Sequence, residues 1–368
     1  MAEGTEPSDL VRFAEKLIGL LDQGSFVSTY KYAVLLGLMD LCLEQGGRDG
    51  APPAMVTTRQ LARKVIGLYW PHTRPFQVPG HPARVLKQNP DRQARIVSLV
   101  AEYRASRAAD PSAPLYRARE EDRRGMEALE REVEWKLVEM PLPKLQRVGG
   151  QLDDFVYRIG WNDGIKRSRF GKDFDNRIHF RPGAAGHLVA LAAVIRPLVH
   201  RQWVLMVTRL NGVPESRLED FLFERDRSAV AVLAGPLQEL QRGRCFYCDL
   251  ELGRKQREVD HFIPWARHPD DGIANLVLAD AGCNRSKRDF LADLGHVERW
   301  GQRLSDHGAE LGRIATELRR PRDESETIGV LRSIYAALPA GVMLWRSTEA
   351  FSPLDRARVG RALEAIPA

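Results

Sequence analysis

The chain has 368 residues, 43% of them hydrophobic, with 55 Lys and Arg against 49 Asp and Glu and a net charge of +6. Such a composition buries at least one full core and excludes a disordered or fibrous protein. The best apolar stretch, His187 to Val199, is broken by Arg196 and Pro197, short of the ~20 residues a spanning helix needs. The start, Met1 to Glu6, is acidic where a signal peptide is basic and then apolar, so a cytoplasmic protein is expected. Ten basic residues are Lys and 45 are Arg. Arg favours bidentate phosphate contacts, and Arg with Ala is equally what a GC-rich genome writes.

In chain order, Leu10, Phe13, Leu17, Leu20 and Leu21 stand at helical spacing, and Tyr32 to Leu43 is a second, strongly apolar helix carrying Cys42 as a small core residue. A Gly/Pro stretch, Gly46 to Pro53, precedes a helix capped by Thr57 or Thr58 that runs through Leu61, Val65 and Leu68. These helices suit a plain bundle better than a helix-turn-helix. Residues 71 to 90 hold five Pro and predict a loop, followed by a helix from about Asp91 to Ser106 and a polar gap from Ala108 to Pro114. From about Arg117 to Val138 the alternating charges predict a helix with a solvated face.

Pro141 and Pro143 mark a domain boundary. Beyond it Phe155, Tyr157 and Ile159, then Ile178 and Phe180, alternate with polar residues as a β-hairpin with a long arm would. Residues 151 to 210 carry ten basic and five acidic side chains, nearly the whole net charge of the chain. Lys166, Arg167, Arg169 and Lys172 crowd around Phe170 on that arm, where they suit either a phosphate backbone or a solvated loop. His187 to Leu210 predicts one or two buried helices, and Ser216 to Arg242 another. After Phe290 helices are expected at roughly 293 to 319, 324 to 337 and 353 to 365.

Residues 244 to 290 hold Cys245-Phe246-Tyr247-Cys248, Val259-Asp260-His261-Phe262-Ile263-Pro264, Asn275-Leu276-Val277-Leu278 and Cys283-Asn284-Arg285-Ser286-Lys287. Hydrolysis of a phosphodiester needs a base for the water, a cation for the charge that builds on phosphate, and an element that orients the base. Asp260 and His261 close a strand-like run, so their side chains leave it on opposite sides. One can hold a metal while the other meets a water.

In order and spacing these residues resemble the HNH endonucleases, the ββα-metal or His-Me finger superfamily, over about 50 residues. The run Val259-Asp260-His261-Phe262-Ile263-Pro264-Trp265 and the trailing Lys287-Arg288-Asp289-Phe290-Leu291-Ala292 resemble a bacterial subgroup of HNH-domain proteins with large flanking helical regions. The resemblance implies an α+β fold, mainly helical at both ends around a small ββα-metal nuclease element. With the boundary at Pro141 and Pro143, the chain divides into a helical segment 1–140 for partner or DNA recognition, an α/β segment 141–235 with the basic arm, the nuclease element 236–300, and a helical segment 301–368.

The resemblance also assigns roles. His261 is the general base, with a near-neutral intrinsic pKa; Asp260 and Asn284 are oxygen ligands of Mg²⁺ or Mn²⁺; Asn275 positions the element and the imidazole; Lys287 and Arg288 hold phosphates. Many such proteins bind a structural Zn²⁺ between two knuckles. Here Cys245, Cys248 and Cys283 are present and the fourth position is Asp280. A three-Cys, one-Asp zinc site and a zinc-free fold with three thiols both stay open. The implied activity is metal-dependent DNA cleavage in restriction or anti-phage defence. One such site cuts one strand, so a double-strand break requires a homodimer or two events, and RNA offers the same bond. The alternative is a catalytically silent or partner-gated nucleic-acid-binding effector, with a protein partner bound through residues 1–140.

Overall fold

Helices dominate the computed structural model, and every sheet in it is small. It describes residues 8–23, 28–77, 82–106, 113–148, 150–223, 230–253, 257–321 and 324–367. These gather into two units, Met1–Leu41 with Pro53–Glu224 and Cys42–Pro52 with Arg225–Ala368. The division is coarser than the four segments expected from the sequence. The first six residues, most of the polar gap at 108–114 and part of the 71–90 loop lie outside the described residues.

The first unit opens with α1 (Asp9–Gln23) and α2 (Tyr30–Glu44). Tyr32 to Leu36 and Leu38, Met39 and Leu41 are all buried, which an all-round apolar helix requires. Of the two candidate caps, Thr57 is the one used. Its hydroxyl accepts from Gln60 N while Gln60 Oε1 accepts from Thr57 N, a reciprocal box that starts α3 (Thr58–Tyr69). Thr58 Oγ1 donates instead to Glu134 Oε1 at 2.7 Å.

Two readings of this region are corrected. The charge-dense stretch forms two helices, α5 (Leu115–Glu121) and α6 (Arg123–Glu139), because Asp122 leaves helical geometry and caps α6 through Gly125 N. Nor is α6 merely solvated: Glu130 and Glu134 are buried and pair with Arg59 and Arg63 of α3. Between these pairs of helices lies α4 (Arg95–Ser106), which begins four residues later than expected.

After two short paired strands, β2 (Arg147–Val148) and β3 (Gln151–Leu152), the expected hairpin is present as β4 (Tyr157–Ile159) and β5 (Arg177–Phe180). A strand from before α3, β1 (Met55–Thr57), adds to β5 on its other side. Next, α7 (Ala184–Asn211) is one 28-residue helix in spite of Pro197. It is long and apolar enough to cross a membrane by length and composition, and 44% of its apolar window is buried within the protein. Arg196, midway along it, forms a buried ion pair with Asp40. The single helix expected at 216–242 is instead α8 (Leu218–Phe223) and α9 (Ala234–Leu240), with 224–229 outside the described residues.

The second unit contains β6 (Arg257–His261) antiparallel to β7 (Leu276–Asp280), then α10 (Ala281–Lys287). Around this ββα element stand α11 (Leu294–Glu317), α12 (Glu324–Ala337) and α13 (Arg356–Glu364). A hairpin of β8 (Met343–Ser347) and β9 (Ala350–Pro353), which the sequence did not announce, precedes α13. Its Trp345 Nε1 donates to Ser286 Oγ of α10. The core beneath the element is Phe262 stacked on Trp300 at 5.5 Å, with Trp300 Nε1 and Arg303 donating to the Ala274 and Leu276 carbonyls. Residues 42–52 are sewn in by Ser333 Oγ, which donates to the Leu43 carbonyl.

Candidate active site

Strand β6 delivers Asp260 and His261 at its end, and pleating sends their side chains to opposite faces. His261 is 1% exposed. Its Nε2 lies 2.8 Å from Asp271 Oδ1, so the carboxylate accepts the Nε2 proton and the ring is held in one tautomer. Nδ1 is buried without a hydrogen-bond partner among the described residues. Such an orphaned nitrogen costs about 1–3 kcal/mol, a cost that functional sites retain.

The loop that presents Asp271 is fixed from both ends. Asn275, fully buried, accepts Ile263 N at its Oδ1 and donates from Nδ2 to the carbonyls of Ile263 and Asp270. Its own carbonyl accepts Phe262 N. Thr327 Oγ1 of α12 donates to Asp270 Oδ2 at 2.6 Å. The sequence reading missed Asp270 and Asp271. Their only signal was an acidic pair just before Gly272 in the connection between the two strands.

On the other face, Asp260 Oδ2 accepts from Tyr247 Oη at 2.6 Å and meets Lys287 Nζ at 2.9 Å. Burial, with the Asp260 charge close by, pushes the Tyr247 phenol up, so it stays a donor. Lys287 is fully buried and also donates to the His261 carbonyl at 2.8 Å. It therefore does not present its ammonium to a phosphate, because the last turn of α10 turns it inward against the end of β6. Arg288 and Arg285 are the exposed cations of this helix.

Asn284, one turn before Lys287, donates from Nδ2 to Glu258 Oε2 at 2.6 Å. Glu258 shares the Asp260 face of β6, two residues away. Glu258, Asp260 and Asn284 thus offer hard oxygen donors that fit Mg²⁺ or Mn²⁺, although one Asp260 oxygen already carries two hydrogen bonds.

The knuckle Cys245–Cys248 docks on β7 through Phe246 N to the Leu278 carbonyl, and Gln241 pairs with Leu278 like an extra strand residue. Arg299 of α11 clamps it by donating to the Phe246 and Tyr247 carbonyls. The sulfur atoms of Cys245, Cys248 and Cys283 lie within 4.8 Å of one another. A hydrogen bond from Cys283 pulls the Cys245 thiol down to about 5, while Cys283, its donor, moves up. Three convergent thiols fit a soft cation such as Zn²⁺.

Asp280 is not in that cluster. Its Oδ1 caps α10 by accepting Gly282 N at 2.7 Å, and its backbone N donates to Cys245 Sγ. An N-cap carboxylate satisfies one of the unpaired N–H groups at the start of its helix. Asp280 thus stands apart from the three thiols that gather among the described residues.

Lys166, Arg167, Arg169 and Lys172 belong to the first unit and stand exposed on the arm between β4 and β5. Arg167 is paired with Glu132 and lies over the rings of Trp135 and Phe170. The other candidate site residues named from the sequence all belong to the second unit.

No curated protein and no solved structure matches the chain. Residues 245–292, which span the knuckle, both strands and α10, match the family model of the HNH endonuclease, and over that segment the chain is an HNH-domain protein.

Proposed function

We propose that the protein is a metal-dependent endonuclease that hydrolyses DNA phosphodiester bonds, with His261 as general base. The observation that carries this reading is the His261 imidazole itself, fixed at Nε2 by Asp271 and unpartnered at Nδ1. Nδ1 is the atom that takes the proton from the attacking water. Asp271 keeps the ring oriented and stabilises the imidazolium formed on proton transfer. Asp260 and Asn284 would hold the divalent cation, with Glu258 beside them, and the cation when bound neutralises charge on the phosphate and the leaving oxygen. Cys245, Cys248 and Cys283 would hold a structural zinc. Arg288 near the site, and Lys166, Arg169 and Lys172 on the arm, offer phosphate contacts.

The resemblance to bacterial HNH proteins favours a setting in restriction or anti-phage defence. A catalytically silent or partner-gated nucleic-acid-binding effector is the second reading. It is supported by the Lys287 ammonium, which already neutralises Asp260.

Plasmid nicking in Mg²⁺ or Mn²⁺ tests the proposal. We expect nicking by the wild-type chain and none by His261→Ala, which binds DNA as before. Undiminished nicking by that variant removes His261 as base. DNA binding without cleavage by the wild-type chain in either cation establishes the second reading.

A further inference from the structure

A cavity of about 400 Å³ opens in the second unit where the first turns of α11 and α13 meet the β8–β9 hairpin. Three guanidinium groups line it, Arg299 from α11, Arg346 from β8 and Arg358 from α13. Arg299 spends one nitrogen on the knuckle carbonyls. Arg346 reaches only to 3.9 Å from Asp293, and Arg358 pairs with Glu298 at 3.1 Å. Both of these pairs involve exposed arginines. Exposed pairs contribute little, and a phosphate offers the same forks a stronger, bidentate partner.

The remaining wall is not that of a simple anion hole. Asp293 and Asp355 also line the cavity, each already capping its helix with one oxygen. Two carboxylates oppose a bare anion and suit a ligand that brings hydroxyl or N–H donors beside its phosphate. His296 is 6% exposed and lines the same cavity. Its Nε2 must donate, because its partner is the Arg346 carbonyl at 2.9 Å. Nδ1 is then a lone-pair acceptor, itself buried and without a partner among the described residues, so His296 shapes the wall and the aspartates are the acceptors that face the cavity. Leu344 and Pro353 complete the lining with apolar surface. Phosphate, hydroxyls, a donor edge and an apolar face are the parts of a nucleotide, and the volume falls in the range of small-ligand sites.

We propose that this cavity binds a phosphorylated nucleotide, with Arg346 and Arg358 on the phosphate and Asp293 and Asp355 as acceptors for its donor groups. The occupant is a free mononucleotide or the phosphorylated end of a nucleic-acid strand. The cavity adjoins the candidate active site: the His296 ring meets Tyr247 at 5.3 Å, and Tyr247 donates to Asp260.

Titration calorimetry on the full chain, without added divalent cation, tests this apart from any nuclease activity. The probes are 5′-AMP, adenosine, inorganic phosphate and a 5′-phosphorylated oligonucleotide. We expect saturable binding of AMP, of the phosphorylated oligonucleotide, or of both, tighter than binding of phosphate or adenosine. The Arg346→Ala/Arg358→Ala variant weakens it at least about tenfold. AMP binding assigns the free nucleotide, and oligonucleotide binding without AMP assigns the strand end. No binding of either, binding no tighter than inorganic phosphate, or binding unchanged in the variant overturns the proposal. Should the double variant unfold in circular dichroism, Arg346→Lys and Arg358→Ala singly give the same reading, the first retaining more affinity than the second.

Discussion

Lys287 and Asp260 form a buried ion pair at 2.9 Å at the end of β6. The lysine lies wholly out of solvent and spends a second donor on the His261 carbonyl. The same ammonium therefore neutralises the candidate ligand and ties α10 to the end of β6. Burying two charges is repaid only by such close geometry, and removing one partner leaves the other stranded.

Lys287→Met should therefore destabilise the protein by about 3–5 kcal/mol in denaturant melts. Magnesium should restore part of that loss, since a cation at Asp260 replaces the missing charge. A variant as stable as the wild type would show that the pair contributes nothing net.

Asp271 is a positioning residue for His261. Asp271→Ala should lower the nicking rate at saturating DNA by about 10²-fold while leaving the DNA concentration for half-maximal rate unchanged. Asp271→Glu should recover part of the rate. A change confined to apparent DNA affinity would place Asp271 in binding instead.

Since Asp280 caps α10 and lies outside the thiol cluster, Asp280→Ala should leave zinc content unaltered while costing about 1 kcal/mol of stability. Cys283→Ala should lose the metal. Elemental analysis of the purified proteins decides, with one zinc per chain expected in the wild type and in Asp280→Ala. Loss of zinc from Asp280→Ala would return the carboxylate to the ligand set.

His72 is wholly buried, 4.9 Å from the Trp203 ring, and burial pushes its pKa from 6.5 down to about 3. The unfolded chain takes up this proton first. The histidine's contribution is thus complete above the unfolded value and is lost as pH falls from 6.5 towards 3. By about pH 5 the loss is about 2 kcal/mol. Urea unfolding at about pH 7 and about pH 5 should show it for the first unit, and His72→Phe should reduce the difference by about that amount, leaving the share of His200, whose pKa burial lowers to about 4. An equal pH dependence in that variant would exonerate His72.

Much of the candidate site was legible because its pieces are local. Asp260 and His261 are adjacent, and Cys245 and Cys248 make one knuckle turn. Spacing within one element constrains such neighbours directly, and the same locality made the helices and the β4–β5 hairpin readable.

Partner choice across elements was not legible. Asp122 splits a continuous charge pattern, and Glu130 and Glu134 are buried because Arg59 and Arg63 lie opposite them. The sequence alone determined the order of HNH residues, the thiol count and the predominance of helix. Only the tertiary structure decided that Lys287 turns inward to Asp260, that Asp271 holds His261, that Asp280 serves its own helix, and that three arginines from α11, β8 and α13 meet around one cavity. Each of these depends on which donor and acceptor the folded chain brings within about 3 Å, and composition and periodicity leave that distance undetermined.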